Sequence, residues 1–252
     1  VTTPRMPFPR VPHVRGLLLA AGSGRRMGGP KALVRTGPDR PTLVEHAVTS
    51  LLDGGCDGVT VVVGAAGPEV TAIVAALGRD VDVVQCIDHL EGMGASVRSG
   101  LTSVTTANRE GRDPVDAVLV SLVDLPDVGP EVVDRLLQSS APAADNTDTT
   151  GATDSPARGA AVDATPDPTA AQSDAGRPAS GWRSVLARTA YEGTPGHPVV
   201  IGRDHWAAVA EAAVGDRGAR DHFRTNEHVL VECGDLATGV DVDTPDELAS
   251  RG

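Results

Sequence analysis

The chain has 252 residues, 40% of them hydrophobic and only 2% aromatic, and carries a formal charge of −12. That is enough for one large α/β domain with a core of small aliphatic side chains, and the acidity argues against broad nucleic-acid binding, since a phosphate backbone is repelled except at a local basic patch. Cys56, Cys86 and Cys233 are an odd number at wide spacing, which fits neither a disulfide framework nor a metal knuckle and points to a reducing cytoplasm.

The opening segment "VTTPRMPFPRVPHVR" carries prolines but no apolar h-region. We read residues 1–13 as a flexible leader ahead of a single domain at 14–252, with no export signal and no membrane association. Val14 to Ala21 is apolar apart from Arg15 and Gly16, the pattern of a parallel strand covered on both faces. Further strand-like runs stand at Val59–Val63, Val81–Cys86 and Val115–Val123. Helical patterning covers Leu43–Leu52, Pro68–Leu77, Ala95–Val104 and Pro130–Gln138. Strand alternating with helix predicts right-handed crossovers, a mostly parallel sheet with helices on both faces, and a ligand site at the carboxyl ends of the strands.

From Ser139 to Gly181 the chain is rich in Ala, Asp, Thr and Pro, with almost no large apolar residue. Such a stretch cannot bury enough surface to order itself, so we read 139–181 as a disordered insertion without a catalytic part. Beyond it, strands are expected at Ser184–Ala190, His197–Ile201 and His228–Glu232, and helices at Asp204–Ala213, Ala219–Arg224 and Thr244–Ser250.

Three motifs carry chemistry. In "LLLAAGSGRRMGGPKALV", residues 17–34, a strand runs into four glycines and then Lys31. Gly22, Gly24 and Gly28 are spaced G-x-G-x-x-x-G, one residue too long for the dinucleotide fingerprint, and no Lys-Ser/Thr pair makes a Walker loop. Arg26 and Lys31 on such a turn suit a triphosphate and the charge that grows on departing pyrophosphate; the competing reading is a solvent-exposed turn. In "VLVSLVDLPDV", residues 118–128, a buried strand ends at Asp124, a position where a carboxylate needs a cation and a hard metal such as Mg²⁺ suits it. Asp127 reads as a cap for the next helix. In "GVDVDTPDEL", residues 239–248, Asp241 and Asp243 fall on one face of a short strand, and Thr244 or Asp243 can cap a helix from Pro245. Asp241, further from the helix start, is the better candidate for a second metal ligand. Ser96 and Arg98 lie near a helix start, where amides favour anions; Ser96 serves equally well as an ordinary cap.

Taken in order, "LLLAAGSGRRMGGPKAL", "EGMGASVRSGL", "VDLPDV", "YEGTPGHPVVI", "GDRGAR" and "VDVDTPDEL" resemble the MobA-like nucleotidyltransferases, most closely their molybdenum cofactor cytidylyltransferase branch. The resemblance spans nearly the whole chain outside the leader and the insertion. It implies a three-layer α/β/α Rossmann-like domain that moves a nucleoside monophosphate, CMP from CTP in this branch, onto the phosphate of molybdopterin with release of pyrophosphate. It further implies nucleotide contacts from Leu19, Ala20, Ala21, Gly22, Ser23, Gly24, Arg26 and Lys31, with Gln85 standing where relatives commonly show an asparagine nearby. Catalytic roles fall on Lys31, Arg26 and Asp124, and Mg²⁺ on Asp124 and the Asp241–Asp243 segment. Ser96, His197 and Arg220 border the acceptor, and a molybdoenzyme would receive the product. Guanylyl or adenylyl transfer to another phosphorylated acceptor, a non-catalytic cofactor-delivery role and, distantly, a dinucleotide-binding oxidoreductase are the competing expectations.

Overall fold

A computed structural model describes residues 12–37, 39–110, 113–142 and 181–249. Residues 1–11 of the expected leader and 143–180 of the expected insertion lie outside the described residues.

Among the described residues, seven strands form one sheet in the order β3-β2-β1-β4-β6-β5-β7. They are β1 (Val14–Ala20), β2 (Val59–Val63), β3 (Val81–Gln85), β4 (Ala117–Leu122), β5 (Leu186–Tyr191), β6 (Thr194–Gly202) and β7 (Val229–Glu232). All pairings are parallel except those of β6 with β4 and β5, so β6 alone runs against the rest. A two-residue turn explains its reversal: Glu192 and Gly193 both have positive φ, at 50° and 76°. That conformation matches the twist of an antiparallel hairpin and leaves no room for a crossover. The Glu232 carboxylate accepts hydrogen bonds from both turn amides, at 2.8 and 3.0 Å, tying the hairpin to β7.

Successive residues of β1 divide between two cores. Leu18 and Ala20 pack with α1 (Leu43–Asp53), α2 (Gly67–Ala76), α4 (Pro130–Ser140) and α7 (Pro245–Ala249). Leu17 and Leu19 pack with α3 (Met93–Arg109), α5 (Trp206–Ala212) and α6 (Arg220–Thr225). Period-2 alternation on a strand buried on both faces gives the three-layer α/β/α sandwich. Small side chains permit close approach: a Cβ on Gly100 of α3 would lie 2.4 Å from Leu17 Cδ1. Arg15, the charge in an otherwise apolar strand, is satisfied by Thr60 Oγ1 at 2.9 Å, Val59 O at 3.1 Å and Asp82 at 2.9 Å. The three cysteines are free and buried.

The elements expected from periodicity are present with ends shifted by a few residues. The Asp204–Ala213 expectation resolves into a 3-10 turn, Arg203–His205, followed by α5. One expectation fails: residues 241–243 form no strand. Val242 N donates to Asp124 O at 2.9 Å, a single bond that anchors an irregular segment to the end of β4 without extending the sheet.

Candidate active site

The carboxyl ends of β1 and β4 open into a cleft of about 590 Å³. Its floor is Leu19, Ala21 and Leu122; its first wall is the glycine loop. Gly24 takes φ 57°, and a Cβ there would lie 1.8 Å from Gly29 O, so the turn closes only on glycine. Its carbonyl accepts from Met27 N at 2.9 Å and Gly29 N at 3.2 Å. Buried Met27 and Ala32 pin the loop to the core on either side of "GGP". Among the described residues, the N–H groups of Ser23, Gly24 and Arg25 have no protein acceptor. Free amides in a glycine turn are the equipment of an anion cradle.

Lys31 reaches from this loop to two carboxylates distant in sequence. Its Nζ donates to Asp124 Oδ2 at 2.6 Å and Asp243 Oδ1 at 2.7 Å, and Arg26 Nη2 lies 2.8 Å from Asp243 Oδ2. Burial works against the lysine charge, but the hydrogen bonds to Asp124 and then Asp243 outweigh it and raise the Lys31 pKa. The Lys31 hydrogen bond holds the Asp243 carboxyl below its usual range. Asp124, Asp241 and Asp243 each offer an oxygen within 4.8 Å of the other two. Hard carboxylate oxygens at such spacing suit a divalent cation.

The expected helix cap at Thr244 forms. Its Oγ1 accepts from Glu247 N at 3.3 Å while Glu247 Oε2 accepts from Asp243 N at 2.7 Å and Thr244 N at 3.1 Å. With that capping box filled, the Asp243 side chain turns into the cleft. Asp243 therefore stands in the carboxylate cluster beside Asp241, which the sequence had ranked ahead of it. Asp127 caps nothing: the residue before α4 is Gly129, without a side-chain cap, and Asp127 Oδ2 accepts from Thr238 N at 2.7 Å.

Ala21, Gly22, Ser23, Gly24, Arg26, Lys31, Ser96 and Asp124 line the cleft with Leu19. Ala20 faces the opposite core, as its place in the alternation requires. Gln85 lies outside the lining, its Nε2 donating to Gly64 O at 2.9 Å. Ser96 sits within α3, whose N-cap is Gly92 with no side-chain cap, so the capping reading of Ser96 lapses. Arg98 pairs with Glu91 at 2.9 Å and donates to Ala213 O; it is a strut. His197, Arg220 and the expected metal ligand Asp241 are not in the lining. The second wall is His89, Leu90, Gly92, Met93 and Asp216; the quoted segments "EGMGASVRSGL" and "GDRGAR" hold the last three without naming them singly, and His89 and Leu90 escaped the sequence reading. Its signal was Gly92, at φ 113°, where a Cβ would lie 2.5 Å from Asp216 Oδ1; that glycine lets residues 215–217 close on the start of α3.

Known proteins agree with this architecture. The chain is 35% identical to nicotine blue oxidoreductase of Paenarthrobacter nicotinovorans, over 94% of its own length and 96% of that protein. Rv0371c of Mycobacterium tuberculosis, at 20% identity, superposes with a TM-score of 0.61 over 95% of this chain and 98% of that one, and it has also been solved with manganese. Molybdopterin-guanine dinucleotide biosynthesis protein A of Archaeoglobus fulgidus, at 16% identity, superposes with a TM-score of 0.53 over 94% and 95% of the two chains. These two structural likenesses concern the fold. Residues 16–229, which include the glycine loop, Lys31 and Asp124, match the MobA-like NTP transferase domain, and the chain belongs to that family.

Proposed function

We propose that the protein transfers CMP from CTP to the phosphate of molybdopterin, releasing pyrophosphate. The observation that carries this reading is the meeting of Lys31 with Asp124 and Asp243 at 2.6 and 2.7 Å, beside the open amides of the glycine loop. Binding a polyanion and offsetting its charge are what such a loop and its two cations can do together. The carboxylate cluster fits Mg²⁺: Asp124 and Asp241 would hold it, with Asp243 able to supply a third oxygen, and a divalent cation there would offset phosphate charge.

The chain's own part is positioning. Ser23, Gly24 and Arg25 offer N–H groups to the phosphates, and the floor at Leu19 and Leu122 keeps one side of the cleft apolar. An acceptor phosphate oxygen attacks the α-phosphorus in line. A P–O bond forms there as the bond to the β-phosphate oxygen breaks, and Arg26 and Lys31 stabilise the charge on the departing pyrophosphate. The attacking phosphate is already anionic, so no side-chain nucleophile is required.

The test is pyrophosphate release by purified protein with Mg²⁺ and molybdopterin, offering CTP, GTP and ATP in turn. Acceptor-dependent release with CTP is expected. Release only with GTP or ATP would replace the base, and silence with all three would overturn the reading.

A second reading, an oxidoreductase of the kind named for the Paenarthrobacter protein, is favoured by the 35% identity over nearly both whole chains. Against it, the glycine spacing departs from the dinucleotide fingerprint, and hydride transfer has no use for a lysine clamped by two carboxylates. Oxidation of NADH or NADPH dependent on added nicotine blue would establish it.

A further inference from the structure

His89 lines the cleft but takes no part in the phosphate chemistry above. It opens a 3-10 turn, His89–Glu91, between β3 and α3, and the chain is fixed on both sides of that turn. Before it, Cys86 is buried and donates its N–H to Val63 O at 2.8 Å; at its end, Glu91 pairs with Arg98 at 2.9 Å. The ring is held as well. His89 Nδ1 lies 3.2 Å from Cys86 O, and a carbonyl can only accept, so Nδ1 carries the hydrogen. In the neutral imidazole Nε2 is then an acceptor. Among the described residues nothing donates to that nitrogen, and it is not among the atoms sealed from solvent.

Gly64, the residue after β2, fixes where the ring stands. A Cβ there would lie 3.0 Å from His89 Cδ2 and 2.3 Å from Ala21 O, so the imidazole sits against the strand ends beside the start of the glycine loop. In the sheet, β1 separates β2 from β4. The ring therefore stands two strand spacings, about 10 Å, from the end of β4 where Asp124 lies. Leu90, its neighbour in the lining, is 74% exposed. Exposed leucines are ordinary, but this one borders a polar cleft next to a fixed acceptor. An apolar face and one oriented polar atom, a ribose's reach from a phosphate-binding centre, are what a planar heterocycle needs.

We propose that His89 reads the nucleobase, its Nε2 accepting a hydrogen bond from the exocyclic amino group of cytosine while the ring of the base lies against Leu90. Uracil presents a carbonyl oxygen at the same position and is rejected. This rests on the transferase reading and names the feature of the site that sets its nucleotide. To accept uracil, the imidazole must move its hydrogen to Nε2 and give up the bond to Cys86 O. Loss of one such hydrogen bond corresponds to a preference of about tenfold for CTP over UTP.

The experiment uses the whole chain. Isothermal titration calorimetry with Mg²⁺ and no acceptor measures Kd for CTP, UTP and the triphosphate of the pyrimidin-2-one riboside, which is CTP without its amino group. Wild type, His89→Asn and Leu90→Ser are compared. Asparagine keeps a donor near the Nδ1 position for Cys86 O and removes the Nε2 acceptor. Wild type should bind CTP about tenfold more tightly than either other nucleotide, and His89→Asn should bring the three within about twofold of one another. Leu90→Ser should weaken all three alike and keep the ratios. Equal affinities in wild type, or a preference for CTP that survives His89→Asn, overturn the proposal. The amino-free nucleotide tests wild type alone, so the result stands even if His89→Asn fails to fold: binding as tight as that of CTP refutes the reader. Turnover separates the two readings. Protein that prefers CTP through His89 but releases no pyrophosphate with molybdopterin keeps the reader and loses the transferase reading. Acceptor-dependent release with equal kcat/KM for CTP and UTP keeps the transferase and loses the reader.

Discussion

Replacing Asp124 with asparagine separates what holds the site together from what makes it work. The carboxylate is 17% exposed and Lys31 is 15% exposed, 2.6 Å apart. At an effective dielectric of about 20 their attraction is about 6 kcal/mol, the figure the variant loses. Asp124 also lies within 4.8 Å of oxygens from Asp241 and Asp243, and each of those contacts repels by at least about 3.5 kcal/mol at the same dielectric, less for Asp241 to the extent that solvent screens it. Loss of the attraction and relief of the two repulsions nearly cancel. Lys31 is not orphaned either, since Asp243 still accepts from it at 2.7 Å. The expected change in stability is within about 1 kcal/mol, a shift in Tm of less than about 4 °C for a chain of this size. Activity should behave differently. An amide is a poor ligand for a hard cation, and losing about 4 kcal/mol of charge stabilisation in the transition state lowers the rate about a thousandfold. Circular-dichroism melting and pyrophosphate release at saturating Mg²⁺ measure the two. A Tm lowered by more than about 8 °C would refute the cancellation, and wild-type turnover at limiting Mg²⁺ would sink the metal assignment.

Three further outcomes follow from the same geometry. Lys31 depresses the Asp243 pKa below 3.8, so Asp243 contributes stability above its unfolded pKa that is lost as pH falls through the lower folded value. Asp243→Asn should flatten the acid limb of a denaturant midpoint against pH curve below about pH 4; an unchanged limb contradicts the pairing. His197 is held to about 4 against an ordinary 6.5, so the unfolded chain binds more protons between those values and His197 lowers stability as pH falls from 6.5 toward 4. His197→Asn should lessen that slope, and the imidazole should stay neutral by NMR at pH 6. Gly92→Ala forces a Cβ to 2.5 Å from Asp216 Oδ1 at φ 113° and should cost about 2 kcal/mol or more in urea unfolding, whereas a stability loss within about 0.5 kcal/mol would mean that the second wall gives way freely.

The sheet was legible because burial on both faces writes itself as continuous apolar sequence. Leu17–Leu18–Leu19 and Val59–Val63 are such runs, and the two cores divide them by alternation. The reversed strand was legible only as a strand. Its direction is set by positive φ at Glu192 and Gly193, and a glutamate gives no sequence-level warning of that conformation. At residues 240–243 the period-2 pattern "VDVD" misled, because Asp243 is held in the cleft by Lys31 and Arg26 rather than by a ladder. The residues of the glycine loop and Asp124 were readable from local motifs: each terminates a strand, and the strand ends fix their direction.

What local pattern cannot express is charge balance between distant segments. Lys31, Asp124 and Asp243 are each ordinary in sequence, and only the fold makes one ammonium answer two carboxylates. Arg188 is the inverse case. In sequence it is an interruption in an apolar strand, as is Arg15, and both invite the same reading of a satisfied internal charge. The fold distinguishes them: Arg15 meets Asp80 and Asp82, while half-buried Arg188 lies 5.5 Å over the Phe223 ring and donates to Gly196 O. Buried charge with a partner is architecture and needs no ligand.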